Sequence, residues 1–206
     1  MIVELSASHI EEIMALEMAA FPPEMQASEA TYRKRFALGH IALGYRRADL
    51  QGVISFSYGI FDPENPSTIP DNFHDWSTQK VPTDFNTVFI YNLGLLPSVR
   101  GTEALQSMIA GSLRRAAADG CRQVLAEGPI PSYAGNRHIQ RNEDIGRSLE
   151  SFVSGGPMPP EALLFKDPHL ALYRRCSTCS IIRVMPNFLP TDSASGGFRA
   201  MLFRQL

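Results

Sequence analysis

One stretch constrains this chain more than any other: Val88-Phe-Ile-Tyr-Asn-Leu-Gly-Leu-Leu-Pro-Ser-Val-Arg-Gly-Thr-Glu-Ala-Leu105. Thr87 to Leu96 is strongly apolar and predicts a central strand. A short turn follows, with Pro97, Arg100 and Gly101. Thr102 to Ala118 then reads as a helix, with Leu105, Met108, Ile109, Leu113 and Ala116 on one apolar stripe. Arg114 and Arg115 sit near its end, where the dipole favours cations, and Gly120 closes it. A strand that feeds directly into a helix leaves the first helical N–H groups unbonded. Those groups and the helix dipole make an anion site suited to a phosphate, and Arg100 adds a cation there. The unit has no Gly-Lys-Ser/Thr, which argues against a nucleoside triphosphate loop.

The other elements arrange themselves around that unit. Ile2 to Leu5 predicts a strand. Ser8 and Glu11 have capping-box spacing for a helix carrying Ile10, Ile13 and Met14, ended by Pro22-Pro23. A second short helix starts near Ser28, with Tyr32 and Phe36 four apart. His40 to Arg46 and Gly52 to Ile60 predict two strands. Phe61 to Phe85 is rich in Pro, Asp, Asn, Ser and Thr, and predicts a long insertion loop over residues 61–86. Arg122 to Glu127 predicts a strand, Glu143 to Val153 and His169 to Arg175 helices, and Ile181 to Met185 and Phe198 to Arg204 the last strands. Residues 128–166 otherwise read as an irregular insertion. The sum is an α+β mixture on one mostly antiparallel sheet.

Bulk properties narrow the function classes. The chain has 206 residues, 44% of them hydrophobic, which suits one domain with a substantial core. A net charge of −2 gives no electrostatic reason to expect nucleic acid. No apolar run approaches the roughly 18 residues that span a bilayer, and no secretory signal is evident at the N-terminus. Three cysteines form no disulfide framework, so a cytoplasmic home is the simplest expectation. Cys176-Ser-Thr-Cys179 lacks two further zinc ligands and follows a helix rather than opening one, so neither a metal nor a redox centre is expected. The histidines show no His-x-x-x-His spacing, and no Gly-x-Ser-x-Gly elbow is present.

The run Leu95-Leu-Pro-Ser-Val-Arg-Gly-Thr102 resembles the cofactor motif of the GNAT acetyltransferases, Val-x-Pro-x-x-Arg/Gln-x-x-Gly-x-Gly/Ala. Two further stretches are similar to parts of that family. Glu17 to Ser28 looks like the loop that helps form the acceptor pocket in arylalkylamine-type and bacterial members. Asp167 to Cys176, followed by Ile181 to Pro190, looks like their last helix and strand. The resemblance implies a sheet of six to seven strands flanked by helices and splayed at the central strand. It implies acetyl-CoA, or another acyl-CoA, as co-substrate and a small-molecule primary amine as acceptor, with direct transfer between them. It places Leu93, Leu95, Leu96, Arg100, Gly101, Thr102, Glu103, Ala104 and Leu105 at the coenzyme. Leu95 is then the strand position facing the thioester, and Arg100 to Leu105 hold the pyrophosphate. Tyr173 matches the Tyr that protonates the departing thiolate.

The chain departs from the pattern at the two small residues, which are Glu103 and Leu105 here. A carboxylate near a pyrophosphate repels it, and Leu105 crowds the close backbone approach that glycine permits. These residues favour an alternative reading: a GNAT-like module that binds acyl-CoA or another ligand without catalysis, as a sensor or partner protein. The general base is open between Glu24, in the acceptor loop, and a water held by Tyr91 or Asn92 on the central strand. Phe73, His74 and Trp76 in the insertion either cap the acceptor site or form a contact in a homodimer.

Overall fold

The computed structural model describes residues 1–62, 65–69, 71–101, 103–135 and 139–206. Seven strands and eight helices fall into two compact units. The first comprises Met1–Val124 with Gln205–Leu206, and the second Leu125–Arg204.

In the first unit, β1 (Ile2–Leu5), β2 (Ile41–Arg46), β3 (Leu50–Gly59) and β4 (Thr87–Leu95) pair in that order, each antiparallel to the next. Both faces are covered. Val53 and Ser55 on β3 and Ala42 on β2 face α1 (Ile10–Ala20) and α2 (Glu29–Ala37), where Leu5, Ile13, Leu16 and Tyr32 complete a buried cluster. Residues of the other parity face α4 (Glu103–Ala118): a side chain at Gly52 would strike Leu95 and Met108 at 2.7 Å. Period-two alternation sets this division. At α4 the apolar stripe is buried as the sequence predicts, and Arg115 pairs with Asp119 at 2.8 Å and with Glu4.

Strand β4 breaks the alternation once. Ser55 pairs with Asn92 and Phe56 with Ile90, so Tyr91 is an extra residue, a β-bulge. A bulge turns two consecutive side chains toward one face. Before it, Phe89 and Tyr91 face α2 and α3; after it, Asn92 and Gly94 turn to the same side of the sheet, against α1 and α2, while Leu93 and Leu95 turn to α4.

Two expectations change. The capping box lies two residues earlier, where the Ser6 N–H donates to His9 Nδ1 at 3.1 Å. The predicted loop 61–86 contains α3 (Phe73–Thr78), capped by Asn72 accepting from the Asp75 N–H at 3.0 Å. Flanking prolines hide so short a helix in the sequence, but Trp76 anchors it: 1% exposed, its ring centroid 4.1 Å from that of Phe89.

In the second unit, β5 (Gln123–Pro129), β7 (Arg199–Gln205) and β6 (Ser180–Met185) lie in that order, with β6 and β7 antiparallel. Around them are α5 (Pro131–Ala134), α6 (Glu143–Val153), α7 (Glu161–Leu164) and α8 (Pro168–Ser177). The stretch 128–166 is therefore more regular than its sequence suggests. Ile130, Ile145, Leu149, Leu164, Leu170, Ile181 and Phe198 form its core. Buried Asp167 fixes the start of α8. Its Oδ1 accepts from the His169 N–H at 2.8 Å, and its Oδ2 accepts from the backbone and hydroxyl of Ser132.

Candidate functional site

Both units bury groups of polar side chains, and one group in each holds residues that the sequence singles out. The first is built on the β4 bulge. Glu17, 2% exposed on α1, accepts at Oε1 from the Tyr32 hydroxyl at 2.7 Å and from Asn92 Nδ2 at 2.9 Å. Its Oε2 accepts from the Ala27 N–H at 3.1 Å. The Asn92 amide also donates to Tyr32 at 2.8 Å. Burial first, then the Glu17 carboxylate, raises the Tyr32 hydroxyl far above its usual range, so it stays a donor.

Tyr91 stands beside this triad. Its hydroxyl lies 2.9 Å from His40 Nδ1, while His40 Nε2 lies 2.8 Å from the Gln79 carbonyl. A carbonyl only accepts, so Nε2 carries the hydrogen. Burial lowers the His40 pKa, and the charge of Arg35 lowers it further, so the ring is neutral and Nδ1 accepts from Tyr91. Arg35 lies among three rings, with its guanidinium carbon 4.8 Å from the centroid of Tyr91 and 5.8 Å from those of Tyr32 and Phe73. It is 5% exposed and, among the described residues, has no carboxylate within 4.0 Å and no hydrogen bond at Nε. Each cation–π contact returns about 0.5–2 kcal/mol. Burying an ion without a counter-ion costs several kcal/mol. Ser57, buried on the same face of β3 as Ser55, also lacks a partner at Oγ, while Ser55 lies against the Tyr32 hydroxyl.

The turn after β4 leads into α4 with Gly101 at φ +75°, a left-handed conformation that favours glycine. Arg100 is exposed; its Nε donates to the Leu95 carbonyl at 3.3 Å and its Nη2 to the Ala20 carbonyl at 2.6 Å. It thus ties the turn to the C-terminal end of α1. Leu95, Ala104 and Leu105 are buried, Leu93 and Leu96 partly so, and Gly101 and Glu103 face solvent. Thr102 lies outside the described residues. Glu24 is exposed in a short turn at Pro23–Met25, and the carboxylate beside Asn92 is that of Glu17. A cavity of about 380 Å³ lies elsewhere, against α4, lined by Met1, Tyr45, Gln106 and Arg114.

The second unit holds the other group. Tyr173 on α8 is half-buried, and its ring would be 3.4 Å from a side chain at Gly128. Burial, then the nearby Glu127 carboxylate, raises its pKa, so it stays protonated; its hydroxyl has no hydrogen bond among the described residues. Glu127 lies 2.7 Å from Arg199 Nε, a contact whose N–H does not point at the oxygen. Arg199, 2% exposed, also pairs with Asp192, which takes a 2.5 Å hydrogen bond from Ser195. Two carboxylates thus share one guanidinium. Burial raises the Glu127 pKa, Arg199 opposes that, and Asp192 adds to it.

The arrangement matches known architecture over the whole chain. A GNAT-like decarboxylase, GphF, in complex with isobutyryl-CoA superposes with a TM-score of 0.75 at 17% identity, covering 100% of this chain and 98% of that one. The chain has the GNAT fold. The loading GNAT-like domain of CurA from Lyngbya majuscula gives a TM-score of 0.74 at 15% identity, covering 100% and 96%. An aminoglycoside 6'-N-acetyltransferase complexed with coenzyme A gives 0.60 at 13%, covering 100% and 96%. No family model matches the chain, and no curated protein matches it in sequence. The α+β class and the seven strands flanked by helices are those the sequence predicts.

Sequence reasoning missed three parts of this GNAT fold's polar interior: Glu17, Arg35 and the trio of Glu127, Asp192 and Arg199. Glu17 had a signal, since it stands four residues after Ile13 on the apolar stripe of α1. Arg35 stands three after Tyr32, where a partner-less cation is unusual. Among the described residues, no group of three or more His, Cys, Asp or Glu side chains is placed to hold a metal ion, and Cys176 and Cys179 are free thiols. No helix among them is long and apolar enough to cross a membrane.

Proposed function

We propose that this protein is an acyl-CoA-dependent N-acyltransferase. The observation that carries the reading is the β4–turn–α4 unit: a bulged strand and a turn with left-handed Gly101, leading straight into a sixteen-residue helix. The first turn of a helix directs its N–H groups and the positive end of its dipole at an anion such as a pyrophosphate. Glu103 carries its carboxylate in solvent, so its position in the motif does not place a buried charge against the phosphates.

In the reaction, the nitrogen of a neutral primary amine attacks the thioester carbonyl carbon. Backbone N–H groups near Leu95 stabilise the oxyanion. The carbon–sulfur bond breaks, Tyr173 gives its proton to the thiolate, and the ammonium proton passes to water and restores the tyrosine. Holding both substrates side by side supplies much of the acceleration. The Tyr173 hydroxyl, which has no hydrogen bond among the described residues, supports the acid role. For the base, Glu17 is committed to three hydrogen bonds and Glu24 is exposed, so a water held at Asn92 is the better candidate.

The test is thermal shift with acetyl-CoA and free coenzyme A, then thiol release across an amine panel. Stabilisation by either ligand supports the coenzyme site, and no shift with both sinks it. Tyr173→Phe is expected to lower turnover about 10²-fold or more while leaving coenzyme A affinity within about twofold; unchanged turnover removes Tyr173 from the mechanism. Binding without thiol release for any amine returns the non-catalytic sensor.

A second reaction on the same coenzyme is favoured by one observation: the structures with TM-scores of 0.75 and 0.74 are a GNAT-like decarboxylase and a loading GNAT-like domain, against 0.60 for the acetyltransferase. Carbon dioxide release from malonyl-CoA without any amine, leaving acetyl-CoA after proton uptake, would identify that activity.

A further inference from the structure

We infer that Arg35 is the receptor for a carboxylate carried by the substrate. The unmatched charge is the starting point. The residue is 5% exposed, its Nε is buried without a hydrogen bond, and no carboxylate of the described residues lies within 4.0 Å of it. The nearest buried acid on the neighbouring helix, Glu17, is fully used by Tyr32, Asn92 and the Ala27 amide. Three rings hold the guanidinium from the sides, 4.8 and 5.8 Å away. Rings flank a cation but leave its in-plane donors unspent, and those donors match the two oxygens of a carboxylate.

The surroundings are built the same way. Ser57 presents a further buried hydroxyl without a partner on the face that Arg35 covers, and Ser55 lies beside it against the Tyr32 hydroxyl. His40 accepts a hydrogen bond from the Tyr91 hydroxyl and is itself neutral, so Arg35 remains the one buried cation of this group. A shell of neutral donors around one buried cation selects an anion over an amine. Tyr91 is also four residues before Leu95, about 13 Å along the strand that runs into the proposed coenzyme turn.

The carboxylate has two chemical sources: the far end of a dicarboxylic acyl thioester, or an acceptor that is an amino acid rather than a simple amine. This inference names the substrate class for the acyl-CoA reading and rests on it in the thioester arm only. The first measurement needs no coenzyme. In a ¹⁵N-labelled full-length protein, the Arg35 Nε–Hε resonance is followed against malonate, isobutyrate and, as control, chloride. Saturable movement with a carboxylate and not with chloride is expected; no movement with either carboxylate overturns the inference.

The second measurement compares affinities for malonyl-CoA, succinyl-CoA and acetyl-CoA, and KM for amino acids against the matching amines. Wild type is expected to prefer one carboxylate-bearing partner at least tenfold. Arg35→Met should bring that ratio close to one, and Arg35→Lys should keep part of it. A preference that survives Arg35→Met overturns the inference, as does its absence in both comparisons. Equal binding of all thioesters with a silent Arg35 resonance defeats the carboxylate site and leaves the coenzyme reading standing. A responsive resonance with no thioester binding does the reverse. If Arg35→Met does not fold, the wild-type resonance and Arg35→Lys still decide.

Discussion

Single residues in this protein carry unusually separable roles. Tyr32 and Tyr91 sit on the same face and differ in what they face: one donates to a carboxylate, the other to a neutral imidazole. That difference yields a prediction for His40. Its folded pKa lies below the usual 6.5, so the unfolded chain takes up a proton that the folded one refuses. The stability His40 contributes is complete above about pH 6.5 and falls as pH drops below it, levelling off once the folded ring also protonates. Tyr91, the Gln79 carbonyl and Arg35 are the polar groups around it. His40→Gln should flatten that acid limb in a melting-temperature series; an unchanged limb would mean another group drives it. Glu127 works in the opposite sense. Its folded pKa is raised above 4.5, so its favourable effect is complete below that pH and is lost as pH rises through the folded value. Arg199, Asp192 and Tyr173 face it. Glu127→Gln should remove that decline from the same series.

Elements were legible to different degrees, for physical reasons. The α4 helix follows its apolar stripe to the residue at Ala118, because sixteen residues give the pattern room to repeat. α6 falls at Glu143–Val153 as predicted, with Asn142 accepting from two backbone N–H groups at its start. α3 was illegible because six residues between prolines carry no periodicity. The buried polar groups were illegible because Glu17 and Asn92 are 75 residues apart and the bulge that joins them has no local mark. Two substitutions probe elements directly. Asp167→Ala removes the cap of α8 and strands the Ser132 donors, so a loss of about 2–4 kcal/mol in urea denaturation is expected. Gly94→Ala places a methyl 2.7 Å from the Phe21 ring and should cost about 1–3 kcal/mol by the same measurement.

At the scale of the whole molecule, each compact unit buries its own cation, and the two are neutralised differently. Arg199 has two carboxylates from its own chain, whereas Arg35 has rings and, among the described residues, no acid. Removing them should therefore have unequal consequences. Arg199→Met leaves Glu127 and Asp192 buried together and is expected to cost about 3–5 kcal/mol in equilibrium denaturation. Arg35→Met strands no anion, so its cost should be clearly smaller. Equal losses would mean that Arg35 stabilises the fold as an ion pair does.

The extra residue in β4 acts on the strand as a shifted reading frame acts on a message. Odd-numbered side chains face the Arg35 cage up to Tyr91, and even-numbered ones do so from Asn92 onward. Without the shift, Leu93 and Leu95 would point where Asn92 and Gly94 now stand, and Asn92 would be thrust among the apolar residues of α4. Deleting Tyr91, by contrast, would leave Ser55 opposite Asn92 and Phe56 opposite Ile90, and would keep every downstream side chain on its present face. What would be lost is the Tyr91 hydroxyl beside His40, not the register.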